Sequence, residues 1–192
     1  MAIRESRKDQ VIQAAAELFR AKGYSATSMR DIATKLGIEA ASLYSHIRSK
    51  EEILQTLCFG MAEKFISCLD KVEQQNANFE DQLRNGILGH ISVIADNLTA
   101  SAVFMNEHRH LSEDHLRKFR ILRLNYINRF KRMLEMGIGA GEFRKVDTKL
   151  AVITLFSSLN WMPQWYDPAG AISLEQLGNQ LADMLIEGLK TK

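Results

Sequence analysis

One stretch constrains the fold of this chain more than any other. Residues 27–52 read TSMRDIATKLGIEAASLYSHIRSKEE. Ala33, Gly37 and Leu43 stand at i, i+4 and i+10. Two short helices that cross closely need a small residue on the first, and Ala33 supplies it. The chain between them turns sharply, and Gly37 tolerates the positive φ that a side chain would resist. Leu43 then drops an aliphatic group from the second helix onto the first, where Ile32 and Leu36 share a face. Ser28 and Asp31 form a capping pair that starts the first helix near residue 28, and Ser49 with Glu52 starts a long helix near residue 50. Residues 40–46 are left as a helix of about two turns, short enough to enter a major groove roughly 12 Å wide. The Ala-x3-Gly-x5-Leu spacing alone fits a helix-turn-helix or an ordinary helical hairpin.

The first helix spans about residues 3–22. Val11, Ile12, Ala15, Leu18 and Phe19 recur every three or four residues and make one apolar stripe, placed to cover the core of the motif. Gly23 ends it as an αL cap. Arg4, Arg7 and Lys8 lie at its start, either within reach of a phosphate backbone or as solvated charge. Residues 50–76 carry Ile53, Leu54, Leu57, Met61, Phe65, Ile66 and Leu69 at helical period. Further helices follow at about 79–96, 99–107, 112–137, 147–166 and 173–189, the last opened by a Ser173/Gln176 capping pair. The chain is thus expected to be all-α with about nine helices. The stretches 137–146 and 167–172 read as loops.

Composition excludes several classes. The 192 residues are 46% hydrophobic and 25% charged, as in globular proteins. No apolar run reaches the roughly 18 residues of a membrane span, and the charged start, MAIRESRKDQ, is not a signal peptide. A cytoplasmic protein without membrane contact is expected. Cys58 and Cys68 lie about 15 Å apart on one expected helix, too far for a disulfide. The net charge of +2 is uneven: residues 1–50 hold nine Lys/Arg against five Asp/Glu, a balance of +4, leaving −2 for the rest. A basic end on a near-neutral body suits a phosphate-facing domain. There is no glycine-rich phosphate loop, G-x-S-x-G or H-E-x-x-H, so neither an enzyme nor a cofactor is expected.

The flanks of the motif carry a family resemblance. Val11-Ile12, Ala14-Ala15, Leu18-Phe19, Gly23-Tyr24, Thr27-Ser28-Met29, Asp31-Ile32-Ala33, Leu36-Gly37, Ser42-Leu43-Tyr44-His46 and Ser49-Lys50-Glu51 follow in order. Over about residues 7–54 the sequence resembles the DNA-binding domain of the TetR family of one-component bacterial repressors. It departs where the recognition helix usually opens with Ser or Thr and then a basic residue (here Glu39 and Ala40), and at Ile47, where Phe is usual. The resemblance implies a helix-turn-helix domain over residues 1–50 and a helical ligand-binding and dimerisation domain over 51–192. It implies phosphate contacts from Tyr44, His46 and Lys50, and from Thr27 and Ser28 beside the dipole of the first motif helix. Tyr44 read alone fits core packing as well, and His46 a surface histidine. Base readout falls to Ala40, Ala41, Ser42 and Ser45, none of them bidentate, so DNA shape is expected to contribute. Arg30 is the neighbouring side chain able to read guanine.

The body is less legible. Residues 155–168, LFSSLNWMPQWYDP, are its most aromatic part. Trp161 and Trp165, four apart, are expected on one helical face, either as packing or as a pocket wall oriented by Asn160 or Gln164. The pattern N-W-x3-W-Y-x-P-x-G resembles TetR-family regulators that respond to fatty acids or acyl-CoA thioesters, which implies such an effector. Arg109, Arg117, Arg120 and Arg123 are then candidates for CoA phosphates, or a solvated face. A lipophilic drug, with control of an efflux pump, is the alternative. A different reading makes the chain a metal sensor through His108, His110 and His115 in EHRHLSEDH, although the stretch crosses a helix junction. The family also implies a homodimer through the last two helices. Leu150, Ile153, Thr154, Ser157, Ser158 and Trp161 lie along one side of the first, and Leu177, Leu181, Met184, Leu185 and Leu189 stripe the second. Such a dimer binds a double-stranded operator built as an inverted repeat.

Overall fold

The computed structural model describes residues 6–75 and 77–191. The expected first helix start at residue 3, Arg4, and the expected helix end at residue 76 lie outside them. Among the described residues there are nine α-helices: α1 (Arg7–Lys22), α2 (Met29–Leu36), α3 (Ala40–Tyr44), α4 (Lys50–Glu73), α5 (Phe79–Ala95), α6 (Leu98–Asn106), α7 (Glu113–Gly139), α8 (Thr148–Asn160) and α9 (Leu174–Glu187). Short 3-10 turns at His108–His110 and Met162–Gln164 interrupt them. Among the described residues no single helix is long and apolar enough to cross a membrane.

The chain packs as two compact units. The first takes in the chain as far as Met61, together with Thr99–Arg120. Its core joins Val11, Ala15 and Phe19 of α1, Ile32 and Ala33 of α2, Leu43 of α3, and Ile53, Leu54, Leu57 and Cys58 of α4. Val103, Leu111 and Phe119 complete the same core. The helix-turn-helix therefore does not close on the first fifty residues alone: α6 and the start of α7 supply part of its packing. Burial pushes the Cys58 thiol up to about 12, which leaves it an inert core group. Cys58 and Cys68 are both free.

Local chemistry sets the helix ends. Ser6 accepts from the Asp9 N–H, and the Asp9 side chain returns to the Ser6 N–H, a capping box that starts α1. Gly23 has positive φ (87°), but its ψ of 156° is extended rather than αL, a correction to the expected cap. Gly37 does adopt αL (φ 64°, ψ 33°), and its N–H reaches back to Ala33 and Thr34. Several expected helices are shorter than anticipated, among them α4, which stops at Glu73 rather than near residue 76. α3 stops at Tyr44, and α8 stops at Asn160, six residues before the expected end. Pro163 explains the end of α8: it lacks an N–H and disfavours helix in the residue before it, so the chain passes into a 3-10 turn.

In the second unit, Ala62–Leu98 and the chain from Ile121 onward, α5 packs on α9. The helices approach closely at Gly178, where a Cβ would stand 2.9 Å from Leu88 Cδ2 and the leucine side chain would have to shift. Arg84 and Asp183 pair across the same helices at 2.7 Å. The core is aromatic: Phe65, Tyr126, Phe130 and Phe156 are buried and meet edge-on or tilted, with ring centroids 5.0–5.8 Å apart.

Candidate nucleic-acid interface

The α2–α3 pair is braced from within. At the start of α2 the Asp31 N–H donates to Ser28 Oγ (3.1 Å), and the Ser28 N–H donates to Asp31 Oδ2 (2.7 Å). The Ser28 hydroxyl also donates to Asp31 Oδ2 (2.8 Å), and Lys22 pairs with the same oxygen at 2.9 Å. These backbone and side-chain donors hold the Asp31 carboxyl well below the usual carboxylate range. Leu43 and Ile47 are buried, 0% and 1% exposed, so they anchor α3 and the residue that follows it by their side chains.

That anchoring turns the other side of α3 outward. Ala41, Ser42, Tyr44, Ser45 and His46 are all exposed, and Ala40 is half-buried. Tyr44 is 54% exposed, so its ring does not pack in the core. Ser45 donates its hydroxyl to Ser42 O (2.7 Å), leaving the oxygen lone pairs available. Arg30 is exposed.

Thr27 and Lys50, expected at phosphates, are placed differently. Thr27 is 1% exposed, and its hydroxyl donates to Gly23 O (2.8 Å). The Lys50 ammonium donates to Tyr24 O (2.8 Å) and Thr27 O (2.7 Å) and lies 4.2 Å from the Tyr24 ring centroid. Desolvation lowers its pKa. Two carbonyls and an aromatic face take up the ammonium, so both residues tie the α1–α2 link to α4. The Ser49/Glu52 pair is also only half a capping box. The Glu52 N–H donates to Ser49 Oγ (3.1 Å), while the Glu52 carboxylate accepts from the Arg48 N–H (2.8 Å) and pairs with Lys8 (3.2 Å). A polar cleft of about 550 Å³ opens here, lined by Lys8, Tyr44, His46, Arg48, Ser49 and Glu52 among others.

Two carboxylates hold the α6–α7 connection to the motif: Glu107, which the sequence offers as an oxygen ligand within EHRHLSEDH, and Glu51. Glu107 accepts from the Tyr24 N–H (3.2 Å) and meets His110 Nε2 at 3.5 Å, while His110 stacks on Tyr24 at 5.3 Å. Glu51 accepts from the Ser112 N–H (3.1 Å) and lies 3.7 Å from His115 Nδ1. The hydrogen bond from Ser112, with one from Gln55, lowers the Glu51 pKa. The three histidines of EHRHLSEDH thus have separate partners. His108 Nδ1 meets Phe104 O at 3.1 Å, and His115 meets Ser112 and Gln55. Among the described residues no three His, Cys, Asp or Glu side chains are grouped to hold a metal ion, which corrects the metal-sensor alternative.

The candidate effector residues are not brought together as a set. Asn160 ends α8, and its Oδ1 lies 3.1 Å from His90 Nε2. Trp161 (65% exposed), Trp165 (49%) and Gln164 lie on the surface after the helix has ended. The expected shared helical face of the two tryptophans is absent because Pro163 breaks the helix between them. Arg109 and Arg120 are exposed and belong to the first unit. The buried polar group of the second unit is instead His90. Asn160 Oδ1 can only accept, so His90 Nε2 carries the hydrogen, and Nδ1 accepts from the Tyr126 hydroxyl (3.0 Å). Burial pulls the His90 pKa down to about 4, keeping the ring neutral, and burial likewise raises that of Tyr126. The signal for His90 was in the sequence: it falls in the buried α5 stripe of Leu83, Ile87, Ile91 and Ile94.

Outside this core, Leu150, Ile153, Thr154, Ser157 and Ser158 are all exposed along α8, and Trp161 is exposed just past its end. On α9 Met184 is 77% exposed, whereas Leu177 is buried. A groove of about 480 Å³ lies between these helices, lined by Leu150, Thr154, Met184, Leu185 and Leu189 among others.

Comparison with known proteins gives consistent results. Residues 11–57 match a family model described as bacterial regulatory proteins, tetR family. Residues 76–189 match one described as tetracyclin repressor-like, C-terminal domain. The HTH-type transcriptional repressor KstR2 of Rhodococcus jostii (strain RHA1) is 25% identical over 188 residues, covering 97% of this chain and 92% of that protein. The fatty acid metabolism regulator protein of Bacillus subtilis (strain 168) is 25% identical over 185 residues, covering 95% of each. The solved structure of the ketosteroid transcriptional regulator KstR2 of Mycobacterium tuberculosis superposes with a TM-score of 0.93 at 24% identity, covering 99% of this chain and 98% of that one.

Proposed function

The chain belongs to the TetR family of DNA-binding transcriptional regulators, and from that premise we propose that it is a dimeric repressor of lipid-metabolism genes, released from an inverted-repeat operator by a fatty acid or its CoA thioester. The observation that carries the DNA reading is the outward face of α3, where Ala41, Ser42, Tyr44, Ser45 and His46 stand exposed over the buried Leu43 and Ile47. The two alanines meet thymine methyl groups, the serines accept or donate at several base edges, and Tyr44 and His46 position the helix on phosphates. Ser28 serves the same backbone through the first turn of α2, and Arg30 reads an adjacent guanine. Lys50 and Thr27 act indirectly, by fixing the link that sets the approach of α2.

Two features support a lipophilic effector. The relative in Bacillus subtilis is named for fatty acid metabolism. The second unit also has an aromatic core whose polar groups, His90, Tyr126 and Asn160, bond one another and set no charge against an acyl chain. The effector acts by population shift: it binds better to the arrangement in which two α3 helices no longer match successive major grooves.

The test pairs ligand and DNA measurements. Acyl-CoAs and fatty acids are expected to raise the melting temperature and to release a footprinted inverted repeat. Stabilisation by cationic dyes alone would replace the lipid effector with a drug. Tyr44→Phe is expected to leave stability within about 0.5 kcal/mol of the parent while weakening operator binding by about 1–2 kcal/mol. Unchanged operator affinity would remove Tyr44 from the interface.

A further inference from the structure

The polar cleft beside α3 holds an ion pair whose placement is not explained by stability. Lys8 of α1 reaches Glu52 of α4 at 3.2 Å, with side chains 49% and 29% exposed. A pair this exposed contributes little to folding. The two partners are unequally held. One Glu52 oxygen accepts the Arg48 N–H (2.8 Å), and the Glu52 N–H is tied to Ser49 Oγ (3.1 Å), so the carboxylate is fixed by backbone. Among the described residues Lys8 has this one partner, at the end of a flexible four-carbon stem. Of the other residues that line the cleft, Tyr44, Ser45, His46, Arg48, Ser49 and Gln55 carry hydrogen-bond donors and Ile47 is apolar, so among the described residues the Glu52 carboxylate is its single acidic group.

We propose that the cleft is a seat for a DNA-backbone phosphate and that Glu52 holds Lys8 in reserve for it: on DNA binding, the Lys8 ammonium exchanges the Glu52 carboxylate for the phosphate. This rests on reading α3 as the DNA-facing helix. A phosphate entering the cleft meets Arg48, His46 and the Tyr44 hydroxyl, and it draws the Lys8 ammonium away from Glu52. The exchange costs little because the pair is weak and solvated, and it adds one cation to those that displace condensed counterions. Glu52 thereby tempers affinity for all duplex DNA without reading its sequence.

Because the exchange is independent of sequence, the probe is a mixed-sequence duplex of about 30 base pairs, titrated by fluorescence anisotropy over a range of salt concentrations. Lys8→Met is expected to weaken binding and to reduce the salt slope by about 0.9, and Lys8→Arg is expected to restore both. Glu52→Gln keeps an acceptor for the Arg48 N–H and is expected to tighten binding about three- to tenfold. In the Lys8→Met background the same change is expected to give no gain, since the effect runs through Lys8. An equal gain in both backgrounds would overturn the exchange, showing that Glu52 acts by bulk repulsion. An unchanged slope in Lys8→Met would remove Lys8 from the backbone contacts. If the parent protein binds no duplex at any salt concentration, the DNA reading itself fails, and the exchange falls with it.

Discussion

At the scale of single residues, the His90 imidazole sits in a place that only its neutral form suits. Phe65 stacks on it at 4.5 Å and Phe156 meets it edge-on at 5.3 Å, so a charge there has no water to solvate it. The pKa of about 4 lies below the unfolded value of about 6.5. Between those values the unfolded chain binds more protons than the folded one, so stability is fully present above pH 6.5 and is lost as pH falls toward 4. The loss is on the order of 3 kcal/mol. Urea unfolding midpoints measured from pH 8 to 4 are expected to show it in the parent and not in His90→Leu. Parallel profiles would place the acid sensitivity elsewhere. Thr27 and Lys50 make the complementary point. Both are polar residues in a motif that meets phosphates, yet their polar atoms are used to close a loop, and only the coordinates distinguish the two uses.

At the scale of elements, the α2–α3 turn depends on one backbone conformation. Gly37 is in αL, and a Cβ added there would meet no atom within 4 Å. Gly37→Ala therefore introduces no clash and costs only the αL penalty, about 1–2 kcal/mol. Thermal unfolding is the measurement, and an unchanged melting temperature would mean the turn relaxes to another conformation. The helix boundaries show how far local pattern reaches. Apolar spacing and capping residues located all nine helices, because a stripe at 3.6-residue period and a side-chain cap are properties of the local chain. The same reasoning carried α8 to residue 166 by following aromatic spacing past Pro163. Trp161 and Trp165 consequently looked like one wall. They are surface residues on either side of a break.

At the scale of the whole molecule, the apolar side of α8 remains open in a single chain. Leu150 (63% exposed) and Ile153 (52%) stand beside Met184 (77%) of α9. A second copy, covering this surface about a two-fold axis, is the occupant the family implies, and it places two recognition helices roughly 34–36 Å apart. Ile153→Glu is expected to give a monomer by sedimentation equilibrium at micromolar concentration and to weaken operator binding by at least about tenfold, because half of the contacts are lost. A variant that remains dimeric would place the interface on another surface. The larger packing of the first unit also belongs to this scale. Glu107 and Glu51 attach the α6–α7 connection directly to Tyr24 and to the start of α4, so changes in that connection act on the motif by hydrogen bonds rather than at a distance.

The sequence by itself determined the all-α fold, the helix-turn-helix and the family, because these rest on short-range rules: periodic apolar stripes, caps, and a glycine where φ must be positive. Its family resemblance also marked Ala41, Ser42, Tyr44, Ser45 and His46, and the burial of Leu43 and Ile47 in the fold is what turns them outward. Only the tertiary structure decided what polar side chains do once folded. Lys50 turns to carbonyls of the α1–α2 link, Glu52 to Lys8 and Arg48, Glu107 to Tyr24, and His90 to Tyr126 and Asn160. These partners lie 4 to 83 positions away. Most of these separations exceed any helical or strand period, so a linear pattern does not encode them. They are set by which helices pack together.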